Sequence, residues 1–350
     1  MKNKALLLGR SQTSSVVTNK AKAIVSVAML LITLILASKS TFAQSEPTKS
    51  SPTQMVEAFH SAFGKHPNAR AVHTKGLILL GSFTPDQGAK NISNAPHFLG
   101  KTIPVTFRFS DFTGIPDIPD TIGAANPRGL ALKFHLPDGT STDIVSHSFN
   151  GFPVSTTDEF REFLLAISKS GPEVAHPSPI EQFLATHPIA KTFVLTQKAP
   201  SISYGTLAYF GVNAFKFTNS KKAVHFIRYQ FIPENGEHFL TPAQLKTKGP
   251  DYLSKEIASR LSKGQVRYKM YAQVAEEGDK IEDPGIAWPD NRKRILLGIL
   301  TIKKLSQNTL AEDKALAFNP GNLPSGIEIA DQMILDRQRA YPISVAERVK

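Results

Sequence analysis

Apolar residues recur along this chain at two different spacings, and each spacing predicts its own element. Met55, Val56, Phe59, Ala62 and Phe63 return every three or four residues, the stripe of an amphipathic helix. Ser51-Pro52-Thr53-Gln54 precedes them and reads as a helix start. Ser51 is the N-cap, Pro52 takes the first helical position, and Gln54 reaches back from the third. Phe160, Phe163, Leu164 and Ile167 form a second stripe behind Thr156-Thr157-Asp158-Glu159, and Ser178-Pro179-Ile180-Glu181 opens a third helix by the same device. Residues 253–261 predict a short amphipathic helix.

Elsewhere the period is two. Ile103–Ser110 and residues 129–136 alternate as strands do, the latter ending in the turn Pro137-Asp138-Gly139. The unbroken apolar run 77–80 reads as a buried strand. Residues 206–217, 223–232, 266–274 and 295–302 predict further strands, and the Gly-, Pro- and Asp-rich residues 111–127 a surface loop. Many strands, with helices gathered in separate stretches, give an α+β architecture.

Composition changes this picture in two places. The formal charge is +12, but residues 1–43 carry six basic residues and no acid; without them 35 basic residues face 29 acidic ones, a net of +6. So modest an excess, spread along the chain, is a solvated surface and gives no reason to expect nucleic acid. Cysteine is absent, which excludes disulfides, zinc–thiolate sites, iron–sulfur clusters and thiolate-ligated haem. Within residues 1–43, Lys20 and Lys22 precede an apolar run of 15 residues, 23–37, and small residues follow to Thr41-Phe42-Ala43. That order predicts a secretory signal peptide cleaved near Ala43, export to the periplasm, no stable membrane association afterwards, and one mature domain over residues 44–350.

One pair near the C-terminus carries chemistry of its own. Arg337 and Tyr341 are four residues apart and share a helical face, and Pro342 is expected to end that helix. A free phenol is protonated at neutral pH and is a poor ligand, whereas a guanidinium beside its oxygen favours the ionised form. The spacing therefore suits a tyrosinate that ligates a metal.

Five stretches in order carry a resemblance. Arg-x-Val-His-x-Lys-Gly at 70–76, Arg-Phe-Ser at 108–110, Asn-Pro-Arg-Gly-x-Ala-x-Lys-Phe at 126–134, Phe318-Asn319-Pro320 and Arg337-x-x-x-Tyr341-Pro342 are similar to the haem-pocket motifs of the haem catalases. The similarity runs from about Ser51 to the end, and Tyr252, residues 267–274 and Ile286-Ala287-Trp288-Pro289 match in order as well. The chain most resembles the small exported catalase-related peroxidases. The resemblance implies a closed antiparallel β-barrel with surrounding helices, and a haem, haem b with its iron, between the barrel and the final helix.

It also implies roles. His73 would carry a proton across hydrogen peroxide, Ser110 would fix its ring, and Tyr341 would be the axial iron ligand, kept ionised by Arg337. Arg70, Arg108 and Arg348 would pair with the haem propionates, Phe160 would pack on the haem face, and Val72 would line the substrate channel. The family's Asp-Leu-Val-x-Asn-Asn-Thr-Pro is represented by Asp143-Ile144-Val145-Ser146-His147-Ser148-Phe149-Asn150, which sets Ser148 at the distal asparagine position, with Asn150 the substitute if the loop shifts by two. A serine there implies weaker dismutation and a larger peroxidase share with a small organic electron donor. A hydroperoxide-rearranging haem enzyme and an exported haem-binding barrel without turnover are the alternatives. The absence of a C-terminal extension predicts a monomer or a small homo-oligomer.

Overall fold

The computed structural model describes residues 49–349, so the predicted signal peptide lies outside the described residues. Residues 47–350 group into one compact unit. Its centre is a sheet of nine strands: β1 (Gly76–Pro85), β2 (Ile103–Ser110), β3 (Gly129–His135), β4 (Ser141–His147), β5 (Tyr209–Thr218), β6 (Val224–Pro233), β7 (Val266–Val274), β8 (Arg294–Leu305) and β9 (Ile327–Ile329). Their order is β4-β3-β2-β1-β8-β7-β6-β5-β9, antiparallel throughout, and β4 also pairs with β5. β1 to β8 thus close into a barrel, with β9 added on β5, as the resemblance implied. The β4–β5 closure is a single residue pair, His147 with Phe210.

Alternation along each strand decides what faces where. Val105, Phe107 and Phe109 of β2, Leu130, Leu132 and Phe134 of β3, and Val266, Tyr268 and Met270 of β7 are buried in one continuous core. This is the barrel interior, and aromatic rings fill it edge to face: Phe83 meets Phe134 with centroids 5.4 Å apart at 88°. The intervening residues of β2 and β3 face outward, and there the functional cleft lies.

The helices are α1 (Pro52–Phe63), α2 (Thr157–Ser168), α3 (Pro179–Thr186), α4 (Pro188–Leu195), α5 (Pro242–Lys246), α6 (Tyr252–Lys263), α7 (Thr309–Ala315) and α8 (Gln332–Arg348). The three predicted capping boxes form at Ser51, Thr156 and Ser178. α1 to α4 build a second core from Met55, Ala58, Val154, Phe160, Phe163, Leu164, Phe183 and Ala190. The short helices α4, α5 and α7 have no clear apolar period and were not predicted.

Two expectations fail. Pro342 does not end the last helix, which runs on to Arg348 with the proline inside it. Contacts beyond the proline hold the final turns: Glu347 meets His60 at 2.7 Å and Lys65 at 2.9 Å, and Arg348 donates to the Lys314 and Leu316 carbonyls at 3.0 and 2.7 Å. The 111–127 segment is also no plain surface loop, since Asp111, Thr113, Ile118, Asp120 and Ala125 are all buried. Its acids serve a buried cation. Arg128 bonds Asp111 and donates to the Asp120 carbonyl at 2.5 Å, while Tyr204 Oη donates to Asp111 at 2.8 Å.

Candidate active site

A cleft with about 1500 Å³ of empty space, mouth included, lies between the outer face of β2–β4, the helices α1 and α2, and α8. Ser110, Gly129, His147 and Phe210 are consecutive partners across β2, β3, β4 and β5, so they form one row along its floor. His73 stands over that row, with Nδ1 3.1 Å from Ser110 Oγ. A Cβ on Gly129 would come within 2.4 Å of Ser110 Oγ and 2.9 Å of His73 Nδ1, so only glycine leaves room for this pair.

The backbone of His73 is held as firmly as its ring. It adopts φ +55°, a left-handed conformation uncommon for a residue with a side chain. Its N–H donates to the Phe112 carbonyl at 2.9 Å, and the next N–H, of Thr74, to the Thr113 carbonyl at 3.0 Å. Strain fixed from outside in this way is a common mark of a functional position. Burial, then the charges of Arg108 and the neighbouring groups, push the His73 pKa down to about 3. The ring is therefore neutral at pH 7 and free to accept a proton.

α8 contributes the other wall. Arg337 donates from Nη2 and Nε to Tyr341 Oη at 2.5 and 3.2 Å, the contact its four-residue spacing predicted. Arg337 is itself fixed: Nη1 donates to Asn213 Oδ1 at 2.8 Å, and Asn213 Nδ2 donates to Asp331 at 2.7 Å. Asp331 doubles as the N-cap of α8, accepting the Met333 N–H at 2.9 Å. Asn213 and Asp331 were missed in the sequence, because 124 positions separate Asn213 from Arg337.

Arg70, Arg108 and Arg348 also line the cleft, and the first two meet at one carboxylate. Asp313 of α7 binds Arg108 through both its oxygens and Arg70 at 3.0 Å. Burial raises the Asp313 pKa, but the two arginines outweigh it and hold the carboxyl below its usual range. One carboxylate does not balance three guanidinium groups. Burial and repulsion from Arg108 lower the Arg70 pKa to about 9, and Arg70 Nε is buried without a partner. Two further carboxylates would neutralise the excess.

Val72 and Phe160 line the cleft too, and Phe59 and Phe152 meet Phe160 at 5.7 and 4.7 Å. An apolar slot, a phenolic oxygen held by a guanidinium and a surplus of buried arginine together fit a haem with two propionates.

The sequence comparison decides the family. The family model described as Catalase matches residues 38–349. The chain belongs to the catalase family. It is an oxidoreductase acting on hydrogen peroxide, and the family implies a haem iron cofactor. Among curated relatives, a catalase-related peroxidase of Synechococcus elongatus is 33% identical over 85% of this chain and 89% of its own length. One of Mycolicibacterium paratuberculosis is 33% identical over 85% and 94%. A crystal structure of a fungal catalase superposes with a TM-score of 0.72 at 20% identity, covering 81% of this chain and 60% of that one, which shows the fold alone.

Within this catalase fold one predicted site residue is elsewhere. Ser148 does not line the cleft; it is buried, and its Oγ accepts the Arg128 N–H at 3.0 Å. Asn150 lies in a separate hollow with Phe149 and Phe193. The residue that faces the cleft is His147. Strand alternation is the reason. Ile144 packs in the barrel core, which turns Val145 and His147 outward, and Ser148 follows just past the end of β4. Counting parity from Ile144 would have found His147 in the sequence.

Proposed function

We propose that this chain breaks down hydrogen peroxide at a haem b bound in the cleft, as a peroxidase that draws electrons from small organic donors alongside some dismutation. The observation that carries the reading is the pairing within one cleft of a half-buried, neutral His73 with the guanidinium-held phenol oxygen of Tyr341. When bound, the haem supplies the redox-active iron at which the peroxide O–O bond is cleaved.

The protein's own part follows from its geometry. Tyr341 Oη offers an oxygen donor that Arg337 holds by two hydrogen bonds, and Asn213 and Asp331 keep Arg337 aimed. Arg70, Arg108 and Arg348 supply the positive charge that two propionates need. His73 Nδ1 is engaged by Ser110, which leaves Nε2 to take a proton from one peroxide oxygen and return it to the other. The aromatic walls exclude water from that exchange.

On the sequence of residues 1–43 we place the reaction in the periplasm, with the leader removed near Ala43. The mature chain is proposed to act as a monomer or small homo-oligomer. Apolar lining by Met55, Val56 and Phe59 also suits an organic hydroperoxide, so a rearranging activity is the second reading.

The test is the optical spectrum of the chain purified after haem-replete expression, beside Tyr341→Phe. Peroxide is then added with oxygen detection, with and without a phenolic reductant. The expected result is a ferric high-spin haem spectrum that changes in the variant, with peroxide turnover at least about a hundredfold lower. Consumption that needs the reductant and releases little oxygen marks a peroxidase. An isomerised product from an organic hydroperoxide marks the second reading. No haem in the wild type overturns both.

A further inference from the structure

The three arginines of the cleft are aimed by neutral backbone. Arg70 Nη2 donates to the Asp313 and Leu316 carbonyls, each at 2.7 Å. Arg348 donates to the Lys314 and Leu316 carbonyls at 3.0 and 2.7 Å, and Arg108 Nη2 to the Thr74 carbonyl at 3.0 Å. The end of α7 and the residue after it thus hold two of the guanidinium groups, and the residue next to His73 holds the third.

The Asp313 side chain adds a charge to that frame. It binds Arg108 through both oxygens and Arg70 at 3.0 Å, and its field reaches Arg348 as well. Burial works against its ionisation, but Arg108 and Arg70 outweigh burial and keep it a carboxylate at pH 7. The three arginines line the cleft and Asp313 does not. It therefore stands behind them and need not leave when a ligand arrives. On the ligand's side, Arg70 Nε is buried and still without a partner.

Two consequences follow from this placement. Three guanidinium groups with no carboxylate among them would be costly to bury, so Asp313 stabilises the chain before any cofactor is bound. Any carboxylates that enter the cleft then share the same cations with Asp313, and like charges on shared partners weaken one another. One side chain thus favours the cofactor-free fold and opposes the binding of an anionic cofactor.

We propose that Asp313 is a resident counter-ion of the cofactor site, which carries the arginine cluster while the chain is without haem and competes with the propionates once haem binds. The assignment rests on the haem reading given above and goes beyond it, because it gives the arginines' own partner a role opposed to tight binding.

Asp313→Asn keeps the shape and an acceptor oxygen and removes the charge, while the carbonyl anchors keep the arginines aimed. Haem release from the loaded chain is timed by transfer to excess apomyoglobin, and the chain expressed without haem is unfolded in urea. The variant is expected to release haem about three- to tenfold more slowly, and to unfold at lower urea when haem-free. Haem dimethyl ester, whose side chains carry no charge, is the control: its release should differ by less than about twofold between variant and wild type. Faster release of haem from the variant overturns the assignment, since Asp313 then serves to aim the arginines. Unchanged release, equal slowing with the ester, or an unchanged urea midpoint overturns it too. If the haem-free variant does not fold, release from the loaded chain decides alone. A wild-type chain that takes up no haem overturns the underlying reading instead.

Discussion

The two faces of β2 and β3 are made by alternate residues of the same strands, yet they obey opposite rules. Inward, Phe107, Phe109, Leu130 and Leu132 are buried in an apolar, ring-packed core. Outward, Arg108, Ser110 and Gly129 meet a cleft that keeps surplus positive charge, a left-handed His73 and an unpaired imidazole nitrogen of His147. The interior is close to what stability asks for. The outer face departs from it wherever chemistry is to be done, and the rigid interior is what holds those departures in place.

Substitutions on the two faces should therefore separate stability from activity. Phe107→Ala is expected to lower stability by about 3–5 kcal/mol, read as an earlier denaturant midpoint with haem affinity largely kept in the fraction that folds. His73→Phe should do the converse. Peroxide turnover falls about 100- to 10,000-fold, while the unfolding midpoint moves little. A large loss of stability in the second, or of intrinsic rate in the first, would break the division.

The smallest expected effect uses a histidine on the inner side. His97 is buried among Phe83, Phe98 and Phe134, its Nδ1 has no partner, and burial lowers its pKa to about 3. Above about pH 6.5 neither the folded nor the unfolded chain protonates it. As pH falls below that value the unfolded chain takes up a proton that the folded chain refuses, so stability declines, by about 2 kcal/mol at pH 5. His97→Phe should remove that part of the decline. The comparison is the drop in thermal midpoint between pH 7 and pH 5 in each protein, and equal drops would mean that His97 is reached by water.

Much of this division was legible in the sequence. Period-two runs gave the strands of both faces, and three capping boxes set three helix starts. Four-residue spacing brought Arg337 to Tyr341. What stayed hidden depends on distant partners. Asp313 lies 205 positions from the Arg108 it binds, and nothing local marks it. The buried acids of 111–127 looked like loop residues until Arg128 was placed among them. Ser148 was misplaced for a different reason: a motif comparison fixes a position in the chain, whereas the pleat of β4 fixes a direction, and only the direction separates it from His147.

The barrel's single-pair closure has a consequence for how this protein should fail on warming. His147 and Phe210 form the entire seam between β4 and β5, and both also line the cleft. A seam of one pair is the first joint to breathe, so amide exchange should be fastest there among the barrel's joints. Each such opening carries a cleft residue away from its neighbours before any ring of the interior is wetted. Heat would then silence the active site while the barrel is still standing.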